Sequence, residues 1–183
     1  MQPVPKILLN SQKLTIILKR LACQLVENHP DLENTVLIGL QPRGVYLLDQ
    51  LVLILEAELG LSKVENGYLD TTFFRDDFRR SEKILAANAT QLDVQIEGKS
   101  IVLIDDVLFT GRSIRAALTA IDSYGRPSNI ELLTLIDRRF SRHLPIQPDY
   151  LGAQIDALEG DKVGVKWGKG LDESIVYLEN KDA

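Results

Sequence analysis

An α/β fold, with a twisted and mainly parallel sheet flanked by helices, is predicted for this 183-residue chain by three features of its sequence. Strand-like and helix-like patterns alternate along it without repeats or low-complexity tracts, the order that builds a doubly wound sheet. The run Ile101-Val102-Leu103-Ile104 is apolar throughout and largely β-branched, which suits a strand buried on both faces. Directly after it come the acids Asp105 and Asp106, then Val107-Leu108-Phe109-Thr110-Gly111-Arg112-Ser113, where a glycine and two hydroxyl residues precede a helix-like segment.

The elements follow in order. Asn10 or Ser11 can cap a helix whose apolar residues Leu14, Ile17, Leu18, Leu21 and Leu25 recur at helical spacing, and it should end near Asn28-His29-Pro30. The single cysteine, Cys23, excludes an internal disulfide and is expected on the buried face of that helix. Thr35 to Leu40 reads as a buried strand, Gln41-Pro42-Arg43-Gly44 as a turn, and about Val45 to Leu59 as an apolar helix. Residues near Gly67 to Phe74 read as another strand. The polar span from Arg75 to Lys99 is long for a plain connection, as lids often are. Beyond the apolar strand, a helix is expected to about Tyr124, then a strand from Ile130 to Ile136 and a short one around Asp149 to Gly152. Lys162 to Trp167 and Ser174 to Leu178 read as further strands.

A hydrophobic content of 45% is enough for one sizeable core, so residues 1–183 are read as a single domain. The net charge of −5 argues against bulk affinity for nucleic acid, though it leaves room for a local basic patch. The start of the chain has no charged-then-apolar leader pattern, and no apolar stretch is long enough to span a bilayer, so a cytoplasmic protein without membrane contact is expected. His29 and His143 are too isolated to suggest a metal site.

Adjacent carboxylates at the carboxyl end of a parallel strand sit where open α/β sheets bind ligands, and as acceptors they suit a diol or a hydrated divalent cation. A bare phosphate suits Thr110-Gly111-Arg112-Ser113 instead, where the backbone can curl and helix-start amides point outward. A phosphorylated sugar satisfies both halves.

The stretch Asp105-Asp106-Val107-Leu108-Phe109-Thr110-Gly111-Arg112 resembles the phosphoribosyl-diphosphate (PRPP) signature of the type I phosphoribosyltransferases. Gly125-Arg126-Pro127-Ser128, Asp137-Arg138, Leu144-Pro145-Ile146 with Asp149-Tyr150, and upstream Arg43-Gly44-Val45-Tyr46-Leu47 and Phe74-Arg75-Asp76-Asp77 are similar to one branch of that family. It is the branch of the pyrimidine-operon attenuator/uracil phosphoribosyltransferase, and the likeness spans about residues 10–155.

The resemblance implies a type I phosphoribosyltransferase fold with a small hood over the base, drawn mainly from about residues 150–183. It implies transfer of phosphoribosyl from PRPP to uracil, giving UMP and pyrophosphate. Pro42, Arg43 and Gly44 would receive the pyrophosphate. Arg75 would begin a loop that closes over it, with Arg79 and Arg80 as further candidates. Asp105 and Asp106 would hold the ribose hydroxyls, directly or through water on Mg²⁺, the metal being bound mainly by substrate and water. Val107, Leu108, Phe109, Thr110, Gly111, Arg112 and Ser113 would line the phosphate side, and Arg138 would approach the base or its carbonyls. Members of the family usually form homodimers or higher homo-oligomers.

Departures from the branch carry information of their own. Pro42 removes an amide donor from its loop and makes a cis bond before it much less costly; since related pyrophosphate loops often contain a strained or cis peptide, the resemblance implies a cis Gln41-Pro42 bond. Purine-salvage relatives tend to carry an aspartate where this chain has Phe109; without that proton acceptor a pyrimidine is favoured, since it can attack as an anion formed with little help. The Asn-Ile-Pro-Thr-Ser run that recognises uracil in the branch is replaced by Ala153-Gln154-Ile155-Asp156-Ala157-Leu158, leaving backbone groups to read the base. The branch also binds pyrimidine-gene leader RNA, which assigns Lys19, Arg20 and Arg142 to an RNA face, with Arg139 and His143 nearby. Two alternatives stay open beside the uracil enzyme: an RNA-binding attenuator with little turnover, and a phosphoribosyltransferase for another nucleobase.

Overall fold

The computed structural model describes residues 5–30, 32–75, 89–158 and 160–179. Its elements are β1 (Lys6–Leu9), α1 (Ser11–Asn28), β2 (Thr35–Leu40), α2 (Gly44–Ala57), β3 (Asn66–Leu69), β4 (Ser100–Leu108), α3 (Arg112–Ile121), β5 (Asn129–Arg139), β6 (Tyr150–Asp156), β7 (Lys162–Lys166) and β8 (Ile175–Glu179). Strands β3-β2-β4-β5-β6 form a sheet in that order, every neighbouring pair parallel.

Alternation along β4 explains its unbroken apolar run. Val102 and Ile104 enter the core beneath α1 and α2 with Leu37, Leu47 and Leu51. Ile101 and Leu103 enter a second core with Val36, Ile38 and the α3 residues Ile114 and Ala117. A strand with helices on both faces has no solvated side on which to place polar residues. The strand also runs further than the apolar residues alone indicate, so the two acids lie within β4 rather than beyond it.

Helix α1 is capped by Asn10, whose side-chain oxygen accepts from the Lys13 amide at 3.0 Å. Leu14, Leu18, Leu21, Ala22 and Leu25 form its buried face. Cys23 falls on the opposite side and is exposed, contrary to the expectation of burial. The helical period decides here over the habit of the residue type.

Strand β3 stops at Leu69, short of the predicted Phe74. The Asp70 carboxylate accepts from the Thr72 amide at 2.6 Å, and a 3₁₀ turn follows over Thr72–Phe74. The long connection returns at Gln91, which exchanges backbone hydrogen bonds of 2.8 and 2.9 Å with Tyr68. Arg79 and Arg80, with most of the predicted lid, lie outside the described residues.

A second sheet is antiparallel, in the order β1-β8-β7. It differs from the expectation of a hood starting near residue 150, because β6 pairs with β5 in the main sheet and the small sheet takes β1 from the other end of the chain. Val163, Val165 and Val176 tie it to the main core. No helix among the described residues is long and apolar enough to cross a membrane.

The strand order fixes the site. From β2 the chain moves outward to edge strand β3, whereas from β4 it moves the other way through β5 to β6. The direction therefore reverses between β2 and β4, and ligands of such sheets bind at the carboxyl ends of the strands flanking that reversal.

Candidate active site

Both loops at this switch point carry the residues singled out by sequence. After β2, the Gln41-Pro42 bond is cis, as expected. Gly44 then packs directly on β4: a Cβ there would lie 2.2 Å from the Ile104 carbonyl oxygen and 3.2 Å from Asp105 Cα. Only glycine allows this approach, and it sets Arg43 beside the acids, with Nη1 3.9 Å from Asp106 Oδ2. Asp106 is buried, and its Oδ2 has no hydrogen-bond partner among the described residues. Its amide donates to Asp105 Oδ1 at 3.0 Å. Burial, followed by the charge of Asp106, holds the Asp105 carboxyl well above the usual carboxylate range. Burial also raises Asp106, with Arg43 opposing it.

Beyond the acids, Gly111 has φ +89, the left-handed conformation that starts α3. The α3 amino terminus and the preceding loop enclose a recess of about 150 Å³ lined by Thr110, Gly111, Arg112 and Ser113 with Asp105, Val107, Leu108, Phe109 and Arg75. Arg75 reaches it from the far side and donates from Nη1 to Ser113 Oγ at 3.1 Å. A neighbouring cleft of about 410 Å³ is lined by Pro42, Arg43, Thr71, Thr72, Arg75, Asp105 and Asp106. Thus one acid pair separates a helix-start cradle from an arginine-bearing loop. Carboxylate acceptors stand between the amino terminus of a helix and the Arg43 loop, groups of the kind that attract anions.

A larger cleft of about 970 Å³ opens from Asp106 toward the small sheet. The Arg138 guanidinium lies over the Phe109 ring on one wall, 4.1 Å from its centroid. Arg138 is buried, its Nε has no hydrogen-bond partner among the described residues, and burial lowers its pKa while Asp161 opposes the shift. Leu158, Asp161, Lys162 and Val163 face it across the cleft.

Comparison with known proteins accords with this geometry. A family profile described as "Phosphoribosyl transferase domain" matches residues 6–173. The chain belongs to the phosphoribosyltransferase family. Within it, proteins described as "Bifunctional protein PyrR" align over most of their length. That of Actinobacillus pleuropneumoniae is 38% identical over 179 residues, 97% of this chain and 98% of the relative. That of Synechocystis sp. is 42% identical over 158 residues, 86% of this chain and 87% of the relative. Among solved structures, the hypoxanthine phosphoribosyltransferase of Trypanosoma cruzi superposes with a TM-score of 0.69 at 17% identity, covering 96% of this chain and 97% of that one. At that identity the likeness concerns the fold alone.

As a phosphoribosyltransferase the chain has a donor set that fits Mg²⁺. No three His, Cys, Asp or Glu side chains converge as metal ligands among the described residues. Two adjacent carboxylates, one with a buried oxygen that accepts no hydrogen bond among the described residues, instead suit a hydrated ion completed by substrate.

The three residues assigned to an RNA face have partners within the chain. Lys19 pairs with Glu58 at 2.7 Å. Arg20 Nη2 donates to the carbonyls of Leu151 at 3.0 Å and Gly152 at 2.6 Å, on edge strand β6. Arg142 pairs with Asp137 and donates from Nη1 to the Phe109 carbonyl at 2.5 Å, which turns its guanidinium toward the loop before α3. Arg139 makes two bonds to Asp156, at 2.5 and 2.6 Å, across the β5–β6 pair. Sequence reasoning missed Thr71 and Thr72, which follow an edge strand, and Asp161 and Lys162, which reach the cleft only through the small sheet.

Proposed function

We propose that the protein transfers the phosphoribosyl group of PRPP to uracil, releasing pyrophosphate and forming UMP. The observation that carries this reading is the acid pair at the switch point, with Arg43 on one side and the α3 cradle on the other. PRPP presents a ribose diol between a pyrophosphate and a 5′-phosphate, the same order of groups.

In this reading Thr110, Gly111, Arg112 and Ser113, with Val107 and Leu108, seat the 5′-phosphate, and Asp105 and Asp106 accept from the ribose hydroxyls. Arg43, Gly44 and Pro42 form the pyrophosphate loop. The bond from ribose carbon 1 to pyrophosphate breaks with its electron pair leaving on pyrophosphate, and a uracil ring nitrogen, its proton lost to solvent, supplies the pair for the new bond. Arg43 and Arg75 stabilise the charge that gathers on the leaving group. Mg²⁺, held near Asp105 and Asp106 mainly through substrate oxygens and water, would neutralise pyrophosphate charge and fix its geometry. Phe109 stacks beside the base and offers no proton acceptor, while Arg138 donates to a base carbonyl. The single domain closes with its small sheet as the hood.

A second activity, control of pyrimidine genes through leader RNA, draws support from identity with relatives described as bifunctional. The internal partners of Lys19, Arg20 and Arg142 weigh against those residues as its contacts. A cytoplasmic location and assembly as a homodimer or higher homo-oligomer belong to the same proposal.

The test adds uracil, orotate, guanine or hypoxanthine in turn to purified protein with PRPP and Mg²⁺ and follows pyrophosphate release. The same preparation is titrated with pyrimidine-gene leader RNA, with and without UMP. Release with uracil above the others supports the enzyme. Release only with a purine overturns the base assignment, and UMP-stimulated RNA binding without turnover overturns the ranking of the two activities.

A further inference from the structure

The chain leaving β5 turns back behind the phosphate cradle. Phe140, at the end of the strand, has φ +65, a left-handed conformation that reverses the backbone there. Arg142 then donates from Nη1 to the Phe109 carbonyl at 2.5 Å, and its Nη2 is held by the Asp137 carboxylate. The next residue, His143, donates its amide to the Thr110 carbonyl at 3.1 Å. Leu144 and Ile146 close on Gly111, where an added Cβ would meet Ile146 Cδ1 at 3.2 Å and Leu144 Cβ at 3.5 Å. Successive residues of the cradle are therefore gripped by successive residues of this loop, from the side away from the recess.

The consequence follows from the geometry of the peptide group. In a trans peptide the carbonyl and the amide of the next residue point in opposite directions. A Phe109 carbonyl bound from behind by Arg142 aims the Thr110 amide forward. A Thr110 carbonyl bound by His143 does the same for the Gly111 amide. A cationic donor on the Phe109 carbonyl forms a charge-assisted bond, stronger than a neutral one, and Asp137, itself buried, holds the other arm of the guanidinium.

We propose that Arg142 is a positioning residue of the phosphate cradle: paired with Asp137 and bound to the Phe109 carbonyl, it aims the Thr110 amide at the phosphate without touching substrate. This rests on the reading of the cradle as the seat of the 5′-phosphate. Two ligands separate the sites. Ribose 5-phosphate carries the cradle's phosphate alone, and inorganic pyrophosphate is the ligand of the loop at Arg43.

Arg142→Lys keeps the charge near Asp137 but loses the forked reach, and Arg142→Gln keeps a donor without the charge. Calorimetric titrations of the full-length variants, each with a thermal melt, are compared with wild type. Ribose 5-phosphate affinity should fall about tenfold in both, the size of one charge-assisted hydrogen bond, with pyrophosphate affinity unchanged. In turnover, KM for PRPP should rise while kcat holds. Asp137→Asn should shift ribose 5-phosphate in the same direction by less. Unchanged ribose 5-phosphate affinity in both Arg142 variants, or equal loss of both ligands, overturns the positioning role. Wild type that binds pyrophosphate but not ribose 5-phosphate overturns the cradle reading, and this inference with it.

Discussion

Replacing Gly44 by alanine adds one methyl group where the loop after β2 crosses β4. That carbon would lie 2.2 Å from the Ile104 carbonyl oxygen and 3.2 Å from Asp105 Cα, whereas close carbon–oxygen contacts settle near ~3.3 Å. Relief therefore requires the loop and strand to part by about 1 Å. Both near atoms belong to backbone inside a packed sheet, so no side chain can swing aside. Overpacking of this kind costs about 1–3 kcal/mol, or a fall in Tm of roughly 2–4 °C for each kcal/mol in a domain of this size. The larger effect falls on activity. Arg43 adjoins the displaced residue and sits 3.9 Å from Asp106, and misplacement of a positioning group by about 1 Å can cost on the order of 100-fold. Initial rates of pyrophosphate release against PRPP concentration should show kcat/KM reduced on that order, with the KM for uracil unchanged. Gly170→Ala is the control, since its Cβ meets nothing within 4 Å and its φ of −154 suits any residue. If Gly44→Ala kept wild-type rates and Tm, the loop would not be seated against β4 as described.

Asp105→Asn should stabilise the ligand-free protein at neutral pH while removing PRPP affinity. The folded state holds the protons of Asp105 and Asp106 more tightly than the unfolded chain does, so stability falls as pH rises from the ordinary carboxylate pKa of about 4 through the raised folded values. Urea denaturation should therefore show an advantage for the variant that grows with pH, to about 0.5–2 kcal/mol; an advantage that shrinks would reverse the sign. Tyr150 lies at the opposite end of the sheet, donating to Glu131 at 2.7 Å and accepting from Asn28 at 3.1 Å, and burial followed by Glu131 pushes its pKa up to about 12. Stability should fall as pH rises from about 10 toward that value, because the unfolded chain loses the proton first. Tyr150→Phe should reduce that dependence and lower stability at neutral pH by about 1–3 kcal/mol, leaving PRPP kinetics intact in parallel melts and assays. Phe109→Ala removes the platform beneath Arg138 and should raise the KM for uracil about 3–30-fold, the range of one cation–π contact; kinetics with each substrate varied in turn would show whether PRPP is spared.

Much of the fold was legible because its signals are local. The uninterrupted run in β4 marks a strand between two helical layers, and the spacing of Leu14, Leu18, Leu21 and Leu25 marks the buried face of α1. Gly44 and Gly111 were legible as candidates from their places in loops, although the reason for Gly44, contact with Ile104, lies between strands distant in sequence. What escaped depends on pairings made across the chain. Strand β1 is short and half exposed, and it exists because β8 from the other terminus pairs with it. The end of β3 was decided by one side-chain bond from Asp70 to the Thr72 amide. Strand β6 continues through Asp156 in register with Arg139, a pairing that no property of residues 153–156 announces. Arg142 reads as surface charge in the sequence because its partners, Asp137 and the Phe109 carbonyl, meet only when the loop folds back behind the cradle.

Calorimetric titration of PRPP with Mg²⁺ into wild type and the Asp105→Asn/Asp106→Asn double variant bears most directly on the acid pair as holder of the ribose diol. The variant should fold, as judged by its melt, while its PRPP binding is abolished and its affinity for inorganic pyrophosphate at the Arg43 loop persists. Unchanged PRPP affinity in a folded variant would contradict the placement of the diol between the loop and the cradle.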